Sequence, residues 1–253
     1  MAMPQAHHGN DGFSKRHSPQ SRRAPANQPD LPRFVERLVS GDRIGCRDHL
    51  REYIAQGNDS LAALRELAWP ACASIDELSR KDQIAPVHEH GALVLLAQLV
   101  QRLECGLTKH PARCRQVLVT SGRSPSEELA AEIFAGIAEA DGFDVLFLGG
   151  GVESDDLFAE IGRRTPDFVV SFAAAGPDAP RLRRLLDAIR CQDPVPGLRI
   201  GVGGGVFGRV PGLADEIGAH FSADSPFEML EELRLIALSP RAVEQRVRRS
   251  RAA

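Results

Sequence analysis

At 253 residues with 43% hydrophobic composition, the chain is long enough for one large domain or two small ones with real cores. A net charge of -3 and 5% aromatic residues exclude a chain that coats nucleic acid or stacks bases along its length. No stretch approaches the roughly 18 apolar residues of a membrane helix, and the polar N-terminus lacks the apolar run of a signal peptide, so a cytoplasmic protein with no membrane contact is expected.

Residues 1–29 are rich in His, Ser, Pro, Gln and Arg with few aliphatic residues, which predicts a disordered arm. Asp30 then caps a helix with Pro32 in its first turn, and Leu31, Phe34 and Leu38 mark its apolar face as far as Gly41. A second helix is expected near Arg43 to Ala55. A third opens at Ser60, is bent or broken by Pro70, and resumes through Ile75 and Leu78. The fourth runs from Ile84 to Leu107, where Ile84, Val87, Leu95, Leu96, Leu99, Val100, Leu103 and Leu107 recur at helical period. Residues 30–110 therefore read as an antiparallel four-helix bundle.

The period changes at Gln116-Val-Leu-Val-Thr120, a continuously apolar run of the kind a strand buried on both faces shows. Strands at Val145 to Leu148, Phe168 to Phe172 and Leu198 to Val202 alternate with helices at Glu127 to Ala140, Asp155 to Arg163 and Arg181 to Cys191. A last short strand is expected around Asp215, Gly218, Ala219 and Phe221, before a helix from Phe227 to Ile236. This alternation over 114–238 predicts an α/β domain with a flavodoxin-like, doubly wound, parallel five-stranded sheet. Residues 239–253 form a basic tail holding Arg241, Arg246, Arg248, Arg249 and Arg251 against Glu244. With Lys15, Arg16, Arg22 and Arg23 of the arm it could meet phosphates or an acidic protein, but a solvated basic tail is the preferred reading. No helix-turn-helix or zinc finger accompanies these charges, which leaves direct DNA binding without a visible reader. Cys46, Cys72, Cys105, Cys114 and Cys191 form no CxxC pair and read mostly as small buried hydrophobes in a reducing compartment.

Ligands of open α/β sheets sit at the carboxyl ends of the strands. Here those ends read Thr120-Ser-Gly-Arg-Ser124, Gly149-Gly-Gly151, Ser171-Phe-Ala-Ala-Ala-Gly176 and Gly203-Gly-Gly-Val-Phe-Gly208. Such a rim suits something broad and flat, or is simply tight turn chemistry. A dinucleotide fingerprint is missing after the first strand, and no Walker loop is present.

The order of parts, with Val145-Leu-Phe-Leu-Gly149, Val169-Val-Ser171 and Val202-Gly-Gly-Gly205 at strands two to four, resembles the cobalamin-binding family over about residues 31–237. The resemblance implies that Ser171, Gly203 and Gly204 lie along the cofactor's nucleotide tail, with Gly149 on the same rim. A second match is Ile84-Ala-Pro-Val-His-Glu-His90, which aligns with the bundle segment whose Glu-His pair covers the upper corrin face in light-sensing repressors of the family. It implies Glu89 and His90 at that pair, with His90 as the metal ligand and His88 as its rival; without the alignment, a His-x-His near a helix start is more often a polar cap or surface feature. The family's tryptophan falls on Ser79, while Trp69 reads as core.

The family's Asp-x-His-x-x-Gly loop after strand one, which carries the lower cobalt ligand, is replaced by Pro125-Ser-Glu127-Glu-Leu-Ala130. Glu127 reads instead as the third position of a capping box opened by Ser124. Arm histidines His7, His8 and His17 are another conceivable source of a ligand. The loss disfavours catalysis by this chain. The nearest resemblance is to the stand-alone photosynthesis-gene antirepressor regulators of purple bacteria, which implies a cobalamin- or heme-responsive light or redox sensor acting on a DNA-binding repressor. A corrinoid carrier of a methyltransferase system and a cofactor-free interaction module are the alternatives, and self-association is left open.

Overall fold

The computed structural model describes residues 29–173 and 178–238. The arm and its three histidines, the basic tail and the Ala174–Gly176 part of the third rim fall in 1–28, 239–253 and 174–177, outside the described residues.

Four helical passes make the bundle: α1 (Leu31–Val39), α2 (Arg43–Ala55), a third composite helix, and α5 (Pro86–Glu104). Asp30, Asp42 and Asp59 cap the first three by accepting from Arg33, Gly45 and Ala62 N–H groups, and the third pass opens at Ser60 as expected. That pass comprises α3 (Ser60–Ala63), a π-helical segment (Leu64–Ala68) and α4 (Trp69–Arg80). Pro70 cannot donate to the preceding turn and its ring crowds it; the helix absorbs this by widening into the π-helical segment rather than breaking.

The α/β part follows as β1 (Gln116–Ser121), α6 (Pro125–Ala140), β2 (Asp144–Gly150), α7 (Ser154–Arg164), β3 (Phe168–Phe172) and α8 (Asp178–Gln192). It ends with β4 (Arg199–Gly203), α9 (Gly205–Arg209), α10 (Leu213–Ile217), β5 (Phe221–Ala223) and α11 (Pro226–Ala237). All pairings are parallel in the order β2-β1-β3-β4-β5, the flavodoxin-like arrangement expected. The register places Thr120, Ser171 and Val202 side by side. Two short helices were not foreseen. The Gly205–Arg209 stretch of the fourth rim is α9, and Asp215 belongs to α10, which stops at Gly218 in the left-handed conformation; the last strand starts only at Phe221.

One apolar core runs through both parts, from Leu38, Leu64 and Leu96 of the bundle to Phe134, Val119, Phe172 and Leu233 on one face of the sheet. A second core, built on Val169, Ile200, Leu157, Ile161 and Leu185, lies under α7 and α8 on the other face. Polar contacts fix the seam between bundle and α/β part. Gln101 of α5 donates to Glu132 of α6 at 2.9 Å, and the Arg65 guanidinium lies 5.0 Å from the Phe227 ring centre. At the base of α6, buried Asp141 accepts a bidentate pair from Arg234 of α11 and meets Arg113 Nε at 2.8 Å. Burial alone would raise its pKa, but these two arginines outweigh that and hold it below the usual carboxylate range. Only Cys46 and Cys72 are buried; Cys105, Cys114 and Cys191 are exposed, because they stand at a helix end or in linker and surface positions. Among the described residues, no helix is long and apolar enough to cross a membrane.

Candidate functional site

The strand order reverses between β1 and β3, and the carboxyl edge there is built by glycine. Gly204 takes φ +106°, closed to L side chains, and a Cβ on it would overlap the Ala173 carbonyl. Gly203 presses against the Phe172 ring and Met229, and Thr120 Oγ1 donates to the Gly149 carbonyl at 3.1 Å. Packing of the rim on itself thus explains Gly203 and Gly204, while Gly149 is required by its φ of +69°. The resulting floor of Ala173, Gly204 and Gly205 is nearly all backbone.

Above that floor stands α4. Trp69, Cys72, Asp76 and Arg80 project at helical spacing over a cavity of about 220 Å³, whose lower wall is Ala173, Gly204, Gly205, Glu127 and Arg209. The two halves are tied at its edge: Ser126 Oγ donates to Asp76 at 3.3 Å, and Cys72 Sγ to the Ser126 carbonyl at 3.7 Å. Burial, then Asp76, pushes the Cys72 thiol up to about 12, which keeps it neutral and a poor metal ligand. Trp69, read from sequence as core, is half-buried and lines this cavity. The period of 69, 72, 76 and 80 was visible in the sequence; that the face looks into a cavity rather than a core was not.

Ser171 is buried at 4% exposure on β3 and opens into a different recess, a cleft between α7 and α8 lined also by Thr120, Ser154 and Arg181. Its enclosed part is about 20 Å³, room for about one water. Phe172 and Ala173 are the partition between cleft and cavity, lining both.

The bundle pair lies elsewhere. His90 is exposed and lines a groove between α5 and α6 with Leu93, Glu128 and Phe147, while His88 faces the α1 side beside Leu38 and Gly41. Among the described residues Glu89 hydrogen-bonds to neither ring; its Oε2 accepts from Ser79 Oγ at 2.5 Å, joining α4 to α5. The structure therefore brings Gly204 together with Trp69 and Glu127, but sets Ser171 in the adjoining cleft and His90 beyond α6. Among the described residues no three His, Cys, Asp or Glu side chains cluster as a metal site. Glu127 is 2% exposed and forms the capping box with Ser124: its carboxylate accepts from Ser124 N–H at 3.1 Å while Ser124 Oγ accepts from Glu127 N–H at 3.3 Å.

A four-helix bundle is thus docked on a flavodoxin-like α/β domain, with the backbone-lined rim of the sheet facing the bundle across the cavity. Residues 115–231 match the family model of the B12 binding domain. That match supports cobalamin as its cofactor. Among solved structures, the monomethylamine corrinoid protein of Methanosarcina barkeri aligns at 15% identity over 81% of this chain and 96% of its own, with a TM-score of 0.69. This likeness includes the bundle and shows a shared fold. A novel cobalamin-binding protein from Desulfitobacterium hafniense DCB-2 aligns at 17% identity over 81% of this chain and 97% of its own, with a TM-score of 0.43. The methanol:cobalamin methyltransferase complex of Methanosarcina barkeri gives 12% identity over 81% and 79%, with a TM-score of 0.44. No curated protein sequence matches the chain.

The residues present fit a corrinoid in part. A floor of bare backbone under an aromatic roof suits a flat macrocycle, and the Ser171 cleft adjoins it. The cavity, at about 220 Å³, lies below the roughly 300–1,000 Å³ of ordinary ligand pockets, so a macrocycle requires bundle and rim to separate. The cobalt-ligand positions do not fit: Glu127 is committed to its helix and His90 lies outside the cavity.

Proposed function

We propose that this protein binds cobalamin between the bundle and the sheet edge and offers it to a protein partner, as a corrinoid carrier of a methyltransferase system does. The observation carrying this reading is the cavity whose roof is α4 and whose floor is the glycine rim of a matched B12 binding domain. Trp69 would cover one face of the macrocycle, Ala173, Gly204 and Gly205 would admit it against backbone, and Ser171 would meet its tail. The bound cobalamin would supply the cobalt-centred group-transfer chemistry. Catalysis of the methyl transfer would belong to the partner. The fold likeness to a monomethylamine corrinoid protein supports the same reading.

A specific observation favours a second reading, the cobalamin- or heme-responsive regulator acting on a DNA-binding repressor. Glu127, buried in a capping box, occupies the position where the family resemblance puts the lower-ligand histidine, which removes that route to control of the metal. In such a sensor, ligand-driven separation of bundle and rim would be the signal, because a ligand moves an equilibrium only through contacts that differ between its states.

Absorption spectra of the full chain, desalted after incubation with hydroxocobalamin, adenosylcobalamin or hemin in darkness and in light, test both. A retained, shifted corrinoid band that Trp69→Ala weakens supports the site; retention of none of the three ligands would remove it and leave a cofactor-free interaction module. Methylation of the bound corrinoid by a methyl-donor enzyme speaks for the carrier, and a light-dependent change in spectrum without methylation for the sensor.

A further inference from the structure

A groove of about 390 Å³ runs along the seam between α5 and α6, on the opposite face of α6 from the candidate cavity. Leu93, Val94 and Ala97 of α5, Leu129 of α6 and Phe147 of the edge strand β2 give it an apolar lining. Val94 and Phe147 are 44% and 38% exposed, and large apolar side chains left open along one groove mark a surface that something covers. Glu128 and Glu132, one turn apart on α6, are its acidic wall. Like charges at this spacing oppose the helix that carries them. Among the described residues Glu132 accepts from the neutral Gln101 at 2.9 Å, and neither carboxylate meets a cation. Burial raises the Glu132 pKa, Gln101 opposes the rise and Glu128 adds to it, as befits a carboxylate without a counter-charge.

The groove therefore fits a cationic segment that brings aliphatic side chains of its own, and this chain holds one. Residues 239–253, outside the described residues, carry Arg241, Arg246, Arg248, Arg249 and Arg251 against Glu244, with Val243 and Val247 among them. The described chain enters that segment from α11, whose Arg234 is clamped to Asp141 at the carboxyl end of α6. From there 15 residues reach up to about 50 Å when extended, whereas α6 is about 24 Å long and a neighbouring helix lies about 10 Å away. The arm is a poorer match: Lys15, Arg16, Arg22 and Arg23 are spread more thinly, and it leads into α1, which lines the other flank of α5. We propose that segment 239–253 docks in the α5/α6 groove of its own chain, its arginines on Glu128 and Glu132 and its valines on Val94 and Phe147. Because α5 belongs to the bundle and α6 to the α/β part, the docked segment is a strap across their seam. One consequence rests on the corrinoid reading above: the strap slows the separation that admits a macrocycle.

Thermal unfolding of the full chain at low salt tests the docking on wild type, Arg246→Gln/Arg248→Gln/Arg249→Gln, Glu128→Gln/Glu132→Gln and the two sets combined, with circular dichroism confirming that each variant folds. The arginine substitutions should lower Tm by about 2–4 °C in the wild-type background and by nothing further in the Glu128→Gln/Glu132→Gln background. In about 1 M NaCl the wild-type advantage should close. An equal drop in both backgrounds, or a drop in neither, returns the segment to solvent and overturns the proposal. A coupling that grows with protein concentration, together with a dimer in sedimentation velocity, assigns the groove to the segment of a second copy and overturns docking within one chain. Hydroxocobalamin uptake should be severalfold faster in the arginine variant, and equal rates overturn the strap's hold on the seam. Uptake by neither protein defeats the corrinoid reading, while the Tm comparison still decides the docking.

Discussion

Replacing Glu104 by Gln should stabilise the protein above pH 7 and change little near pH 4.5. Glu104 closes the seam between α5 and α6, where a Cβ on Gly136 would overlap its side chain, and its Oε1 is buried with no hydrogen-bond partner among the described residues. Glu132 and Glu139 of α6 act on it; Gln101 of α5 donates to Glu132, and Lys109 of the linker lies 3.5 Å from Glu139. Burial first, then Glu132 and Glu139, push the pKa of Glu104 from 4.5 up to about 7. Between these values the folded protein retains a proton that the unfolded chain has released, so this group lowers stability as pH rises from about 4.5 to about 7. The full shift corresponds to at most about 3.4 kcal/mol, and partial solvent access of the side chain reduces it to on the order of 2 kcal/mol. Gln cannot ionise, so the penalty disappears. Urea unfolding of wild type and Glu104→Gln from pH 5 to 8 measures it, and the difference curve cancels the contributions of His49 and His220, both held below the usual imidazole range chiefly by burial. Parallel curves for the two proteins would refute the reasoning.

Ser124→Ala removes one half of the capping box and should cost about 1 kcal/mol, read as a drop in urea midpoint at unchanged slope. Asp141→Asn breaks the clamp from α6 to Arg234 and Arg113. Because both arginines keep some solvent access, the cost should be about 2 kcal/mol rather than the 3–5 kcal/mol of a fully buried pair. The native clamp contributes fully above the ordinary aspartate pKa and is lost as pH falls through the lowered folded value, so the gap between wild type and Asp141→Asn should shrink in acid unfolding scans. Gly204→Ala forces a side chain into φ +106° and onto the Ala173 carbonyl; it should lower Tm by several degrees and displace the rim, with cobalamin affinity falling in the same variant.

Local signals in the sequence determined most of the fold. Capping aspartates, the prolines in first turns, and the change from helical period to unbroken apolar runs at Gln116 are properties of neighbouring residues, so bundle, parallel sheet and the Ser124–Glu127 capping box were all legible. Where the signal was short the reading slipped, as at α9 and α10, whose five residues each are held by tertiary contacts rather than by a period of their own. The site divided along the same line. That small residues crowd one sheet edge follows from strand alternation alone, and so does the placement of Ser171 and Gly204 on it. Which face of α4 roofs that edge, why Trp69 looks into a cavity, and why His90 is turned to the far side of α6 depend on how the bundle docks. Docking is fixed by one shared core and a few long-range contacts, such as Ser126 to Asp76, between residues far apart in sequence that no local pattern pairs.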